Sequence, residues 1–462
     1  MAKRSRFSFF FLLCILVGLG FGGYLLFNDR DNPEIALSHN SESVSPTLPL
    51  TLTVTDPSSP VKSVSVAVRF QENVVPVSAA EFNGGGKRQQ ITFTLAEAGL
   101  KHNDTFDLEI TAVDDSFGGF GFGNKQRVIL PMRLDATPPR LSVKTSMPYV
   151  RRGGTGCIVY SANKEVSQTG VMVEDLFFPA FRQETGDFLC FFAFPYTMES
   201  NDFKPRLVAL DAAGNHQDVS LPVSAINRQF KTDTIAISQG FLDAKAAEFE
   251  SMVPGQMTDI ERFLLVNGEV RRHNALTLLE IGKHTAGEIL WKGAFLRLPR
   301  AASRAGFADH RTYLWQGEKV DEQTHLGFDL ASVKQAPVPA ANDGVVVFSG
   351  YLGIYGYLVV IDHGLGLQSL YSHLSEIGVE NGATVAKGDI IGKTGATGMA
   401  GGDHLHFGVL VSGLEVTPLE WLDNHWIKDN IIDRIKDAGG AAPEFSVPAD
   451  PPPAKPQKPR RR

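Results

Sequence analysis

The sequence predicts a mainly β chain of several domains behind one apolar N-terminal helix. Three observations carry this reading: an uncharged run from Phe7 to Phe27, period-two alternation over 47–226, and a last third of short strands with glycines at nearly every turn. At 462 residues the chain exceeds what a single core supports, so about two to four domains are expected. A formal net charge of −7 provides no field for gathering polyanions and argues against nucleic acid as a partner.

The N-terminal element comes first. As a helix, the run 7–27 would be about 31 Å long, enough to cross a hydrocarbon layer. Residues 1–6 carry Lys3, Arg4 and Arg6, while Asp29, Arg30, Asp31 and Glu34 follow the run. The positive-inside rule then puts residues 1–6 in the cytoplasm and the bulk outside, a single-pass protein of a bacterial inner membrane facing the periplasm. A cleaved signal peptide is the competing reading, but the run overshoots an ordinary apolar core and no small-residue cleavage site follows it. Leu-Leu precedes Cys14 where lipidation wants a small residue, and Gly18 with Gly22 makes a helix-packing spacing that also arises by chance in a Gly-rich run.

Residues 28–46 are polar and read as a linker. From 47 to 135, runs such as L-T-L-T-V-T and V-S-V-A-V-R-F alternate between turn clusters, the pattern of a β-sandwich. The D-A-T-P-P stretch at 135–139 reads as a connection, and the alternation restarts over 136–226, where a strand runs into the D-x-x-G-N turn at 211–215 in the manner of bacterial immunoglobulin-like modules. Cys157 and Cys190 fall in this second module, and an oxidising compartment would allow a disulfide or leave two reduced core cysteines. Neither module clusters titratable groups. The Gly-Gly-Phe-Gly-Phe-Gly loop at 118–123 reads as a mobile loop or a contact surface.

Residues 227–309 change texture and read as a helical connecting region. Phe241 to Met252 is helix-like, and Thr258 with Glu261 forms a capping box ahead of Ile260, Phe263, Leu264 and Leu265. His273 and His284 have no partners at ligand spacing here. Residues 425–462 read as a Pro-rich basic tail, too poor in apolar side chains to fold.

The chemistry concentrates in 310–424. T-H-L-G-F-D at 324–329, L-Y-S-H-L at 370–374, the Gly-rich A-T-G-M-A-G-G at 396–402 and D-H-L-H-F at 403–407 place His325, Asp329, His373, His404 and His406 within one small domain. Hydrolytic zinc commonly takes three N/O ligands and keeps a position for water, so this set supplies both ligands and proton-transfer groups. His404 and His406 are two apart on a strand and project to one face. Gly327, between His325 and Asp329, leaves the backbone room to aim both at one ion. Tyr371 reads as a packed strand tyrosine or a neighbour of His373, and His310, His363 and His425 as structural groups.

These strings, with V-E-N-G-A-T-V-A-K-G-D-I-I-G at 379–392, resemble the lysostaphin/LytM-type zinc metalloendopeptidases, which hydrolyse peptidoglycan. The pattern is H-x-x-x-D, then Tyr-x-His-Leu, then H-x-H. This segment departs from it at M-A-G-G-D before the H-x-H and at Gly408. The resemblance implies a small antiparallel β metallopeptidase domain with Zn²⁺ on His325, Asp329 and His406. His373 and His404 would be unligated and catalytic, His373 as the base and His404 orienting water or stabilising charge. It further implies an endopeptidase cutting peptidoglycan stem-peptide cross-links, with a partner from cell division or wall synthesis. A non-enzymatic regulator of other wall hydrolases is the alternative, disfavoured because all five residues are present. A biotinyl or lipoyl carrier, suggested by the A-K-G-D turn at Lys387, leaves the histidines without a purpose.

Overall fold

The structure, a computed structural model, describes residues 10, 15–18, 29–117, 122–443 and 445. Most of the 7–27 run, Cys14, Gly22, the loop residues 118–121 and the Pro-rich end of the tail therefore lie outside the described residues. Among the described residues no helix is long and apolar enough to cross a membrane. Two compact units divide the chain: Met1–Pro139 with Lys164–Ser167 and Leu210–Gln217, and the remainder.

In the first unit, a sheet ordered Glu34–Leu37, Leu50–Thr55, Arg88–Phe93 faces one ordered Ser43–Val44, Lys125–Leu134, Thr105–Asp114, Val61–Phe70, Asn73–Glu81. Strict alternation makes this possible. Leu50, Leu52 and Val54 point inward with Val64, Val66, Val68, Leu108 and Ile110, all at most 2% exposed, to form the sandwich core. The stretch expected to be a linker, 28–46, contributes two of the strands, Glu34–Leu37 and Ser43–Val44. The short polar runs there alternate too weakly to announce strands, and only pairing with Leu50–Thr55 and Lys125–Leu134 recruits them. The D-x-x-G-N turn also belongs to this unit. Asp211 accepts from the backbone of Ala213 and Asn215, and Lys164 bridges Asp211 and Asp135 at 2.6 Å each.

The second unit begins with two four-stranded sheets built from the immunoglobulin-like region. Cys157 and Cys190 are both free and buried. The register pairs Cys157 with Phe191 and Ile158 with Cys190, so the two thiols point to opposite faces of their sheet and cannot be joined.

Next come helices α1 (Gln239–Met252), α2 (Asp259–Leu265) and α3 (Arg271–Ile281), the last two continuous through a wider π-type turn at Val266–Val270. The capping box forms as the sequence suggests, with Glu261 Oε2 accepting from Thr258 N at 2.8 Å. This connecting region is not purely helical: Thr232–Ala236 pairs in parallel with His310–Leu314, and Ala302–Ala305 borders the large C-terminal sheet.

That sheet runs Ala302–Ala305, Phe328–Ala331, Leu405–Val411, Leu367–Leu374, Tyr357–Asp362, Gly344–Tyr351, Thr384–Val385, with Leu414–Val416 also paired to Leu405–Val411. Its two central strands are buried at every position, which requires cover on both faces. On one face, Leu370 and Leu410 pack with Phe249, Phe263 and Leu278 of the helices. The opposite side holds an aromatic cluster of Trp291, Phe295 and Trp421, and Phe191 of the immunoglobulin-like sheets meets Trp421 at 5.6 Å. Residues 424–437, expected to be unpatterned tail, are helical and bury Ile427, Ile431, Ile432 and Ile435. Ile427, Ile431 and Ile435 are four apart, a helical spacing that the reading of this short segment as tail passed over.

Candidate metal centre

The site forms where three strands end side by side. Antiparallel pairing places Asp329 directly opposite His406, and His325 ends the strand Glu318–His325 just before them. His325 Nε2 lies 2.8 Å from His406 Nδ1 and 2.9 Å from Asp329 Oδ1, and His406 Nδ1 lies 3.1 Å from the same oxygen. Three lone-pair atoms at the corners of so small a triangle repel one another unless protons or a cation sit between them. Ligands about 2.0–2.1 Å from one tetrahedral Zn²⁺ are about 3.3 Å apart, so small relaxations suffice for the trio to fit that ion. His325, Asp329 and His406 form one of the two groups of side chains among the described residues that could hold a metal.

Surrounding groups fix each ring. His325 Nδ1 donates to Gly306 O at 2.8 Å, which leaves Nε2 as the free lone pair. Gly327 is required for a local reason: a Cβ there would stand 2.5 Å from His406 Nε2, so only a bare Cα lets the ring lie against this turn. Arg311 Nη2 donates to Asp329 Oδ2 at 3.0 Å and leaves Oδ1 for the centre. Arg311 did not stand out in the sequence reading, because an arginine within an alternating strand carries no motif; its role depends on the pairing of distant strands. Burial opposes the Asp329 charge, yet the surrounding His325, His404 and His406 outweigh it and hold the carboxyl well below its ordinary range. Burial pushes His406 down to about 4, which favours a neutral, ligating imidazole.

His373 and His404 stand beside the trio. Their ring centroids are 4.9 Å apart, and His373 is 5.8 Å from His406. His373 Nδ1 donates to Thr397 O at 2.8 Å and His404 Nδ1 to Gly402 O at 2.8 Å, so both Nε2 atoms remain for chemistry. Burial, with the neighbouring His404 and His406, holds His373 well below its ordinary value. For His404 burial also acts downward, but the Asp329 carboxylate, 3.4 Å from its Nε2, prevails and raises it. The pair is thus split, with one ring neutral and one inclined to carry a proton.

Tyr371 is packed. Its hydroxyl accepts from Ala341 N at 2.7 Å, and its ring meets Phe407 at 5.5 Å. His363 is buried between Asp343 O and Ser369 Oγ, while His273, His284, His310 and His425 are exposed and stand apart from the centre. Lys387 is no swinging carrier arm, since its ammonium donates to Lys292 O and Ala294 O. A cavity of about 420 Å³ opens over the five residues, and Ile237, Phe241, Phe263 and Tyr313 form an apolar wall. The helical region therefore shapes the cleft itself, beyond the connecting role expected of it.

Comparison with known proteins converges on this segment. The model for Peptidase family M23 matches residues 323–418. The DD-carboxypeptidase/endopeptidase Mpg of Neisseria meningitidis serogroup B is 41% identical over 95 residues, 21% of this chain and 22% of that protein. The peptidoglycan DD-endopeptidase ShyA of Vibrio cholerae is 40% identical over 96 residues, 21% of this chain and 22% of that protein. Both matches thus span less than a quarter of the relatives' length. The catalytic domain of the antimicrobial peptidase lysostaphin from Staphylococcus simulans aligns with 27% of this chain and 94% of its own at 26% identity, with a TM-score of 0.24. Residues 323–418 of this chain are thus similar to Peptidase family M23.

Proposed function

We propose that this protein is a zinc-dependent endopeptidase that hydrolyses peptide cross-links of bacterial peptidoglycan. The observation that carries the reading is the meeting of His325 Nε2, Asp329 Oδ1 and His406 Nδ1 within 2.8–3.1 Å of one another, beside the two further imidazoles of His373 and His404. Zinc bound there would bring the pKa of its water toward neutrality and polarise the scissile carbonyl. His325, Asp329 and His406 would hold the ion, with Gly306 O and Arg311 fixing two of them. His373, neutral by burial, takes a proton at Nε2 while Thr397 O anchors its other nitrogen. His404, whose charged form Asp329 favours, donates from Nε2 to the developing oxyanion or the leaving amine. The apolar wall of Phe241 and Phe263 excludes water from one side of the peptide.

The relatives named DD-endopeptidase support the substrate class. The apolar run 7–27 supports attachment to the inner membrane with the catalytic domain on the wall side. The test is incubation of the full-length protein with purified wall fragments, with and without a chelator, followed by identification of new termini. New amines and carboxylates at cross-links, lost on chelation and restored by zinc, are expected. Intact cross-links with zinc-loaded protein overturn the proposal.

A further inference from the structure

We propose that the first β unit binds a divalent cation of the calcium class through Asp29, Asp56 and Asp114. Asp56 follows the strand Leu50–Thr55, Asp114 ends the strand Thr105–Asp114, and Asp29 comes from the segment that enters the unit. One carboxylate oxygen from each lies within 4.8 Å of the other two. Asp56 is 1% exposed and Asp114 is fully buried, so water does not screen the repulsion between them.

The hydrogen-bond inventory leaves a gap. Asp114 Oδ1 accepts from Ser116 N, Ser116 Oγ and Asn124 N, and its Oδ2 from Asn124 Nδ2. Asp29 accepts from Asp31 N and Ser59 Oγ. Asp56 Oδ1 accepts from Ser58 N at 2.9 Å and Ser59 N at 2.7 Å. Asp56 Oδ2 is shut off from solvent and has no partner among the described residues. Nor, among the described residues, does any cationic side chain pair with the three: Lys62 pairs with the neighbouring Asp115 at 3.8 Å, and Lys87 donates to Pro57 O. Three converging carboxylates, two of them buried and one with an orphan oxygen, lack the positive charge that would balance them.

The donor set selects the ion. Only oxygens converge, with no imidazole or thiolate, which suits a hard cation and disfavours zinc. Opposite oxygens of a Ca²⁺ shell lie about 4.6–5.2 Å apart, so the three fit within one such shell, and backbone carbonyls and water complete it. Mg²⁺ gives up its water reluctantly and suits an irregular, partly buried cluster less well. Asp29 gives the site a purpose beyond neutralisation. Together with the Ser58 Oγ to Asp31 Oδ2 bond at 2.7 Å, the ion would clasp the entering segment onto the sandwich.

The experiment uses full-length, zinc-loaded protein, so that the histidine centre is already filled, titrated with CaCl₂ alone by calorimetry and followed by thermal melting. One Ca²⁺ per chain is expected, with a Kd on the order of 10⁻⁴–10⁻³ M or tighter, a rise in melting temperature, and at least about ten-fold weaker binding of Mg²⁺. Asp56→Asn and Asp114→Asn should weaken Ca²⁺ binding at least about ten-fold and abolish the melting shift. If either buried variant fails to fold, as judged by circular dichroism, Asp29→Asn at the half-buried position provides the same readout. No heat and no melting shift in the wild type up to about 10 mM Ca²⁺ overturns the proposal. So does unchanged affinity in the folded variants, or tighter binding of Mg²⁺.

Discussion

His373 adopts a φ of 61°, a left-handed conformation that non-glycine residues avoid. The reason lies in the register. Ser372 pairs with His406 and Tyr371 with Phe407, so simple alternation would send His373 to the face opposite His406. The left-handed turn brings its ring round to the centre instead, where Thr397 O holds it. Roles divide at this scale. Asp329→Ala should lose most bound zinc, because it removes the one anionic ligand and the acceptor of Arg311; metal analysis of the purified variant reads this directly, and full occupancy refutes the ligand assignment. His373→Ala and His404→Ala should retain zinc yet lose turnover by on the order of 10²-fold or more, each through loss of proton transfer or charge stabilisation. Rates measured beside zinc content separate the two cases, and near-normal turnover in either variant defeats its assigned role.

Helix α1 is coupled to the same chemistry through the Gly-rich loop 396–402. Lys245 Nζ donates to Ala396 O, and Glu248 accepts from Gly398 N and from Tyr351 Oη. The helix thus fixes the loop whose Thr397 O anchors His373. On the other side, Glu420 of the short helix Pro418–Leu422 joins the catalytic sheet to the immunoglobulin-like sheets by accepting from Thr155 N at 2.7 Å. Burial raises this carboxyl from 4.5 to about 8. The fold therefore keeps the proton at pH values where the unfolded chain has released it, so this group's contribution to stability falls as pH rises from about 4.5 to about 8 and levels off above. Glu420→Gln keeps the acceptor and removes the titration. Its melting temperature should match the wild type near pH 4.5 and exceed it by several degrees at pH 8.5, a difference on the order of a few kcal/mol. An unchanged gap between the two proteins across that range would refute burial as the cause.

At the scale of the whole molecule, the proposed substrate depends on which side of the membrane the catalytic domain occupies. In the proposed topology, Lys3, Arg4 and Arg6 before an uncharged run of membrane-spanning length would put residues 28–462 outside the cytoplasm and attached. Protease added to intact spheroplasts should degrade the protein, which should stay in the membrane pellet after a high-salt wash. A soluble form whose N-terminus begins beyond residue 20 would identify the run as a cleaved signal. Protection from protease would overturn the orientation, and with it peptidoglycan as the substrate.

The five side chains of the centre were legible in the sequence because their signal is local: residue type and spacing on short strands fix H-x-x-x-D and H-x-H without knowledge of partners. Strand alternation likewise announced the sandwich core of Leu50, Leu52 and Val54. What tertiary structure alone decided depends on pairings between residues far apart in the chain. Arg311 reaches Asp329, Gly306 O sets the His325 ring and α1 reaches the loop behind His373, all through folding rather than spacing. The strands at 34–37 and 43–44 are too short to declare themselves and exist because neighbouring strands complete their hydrogen bonds, whereas the helices at 424–437 carry isoleucines at helical spacing whose burial only the tertiary structure decided. Asp29, Asp56 and Asp114 are unremarkable turn aspartates when read in line, and they become a charge cluster only when the sandwich closes.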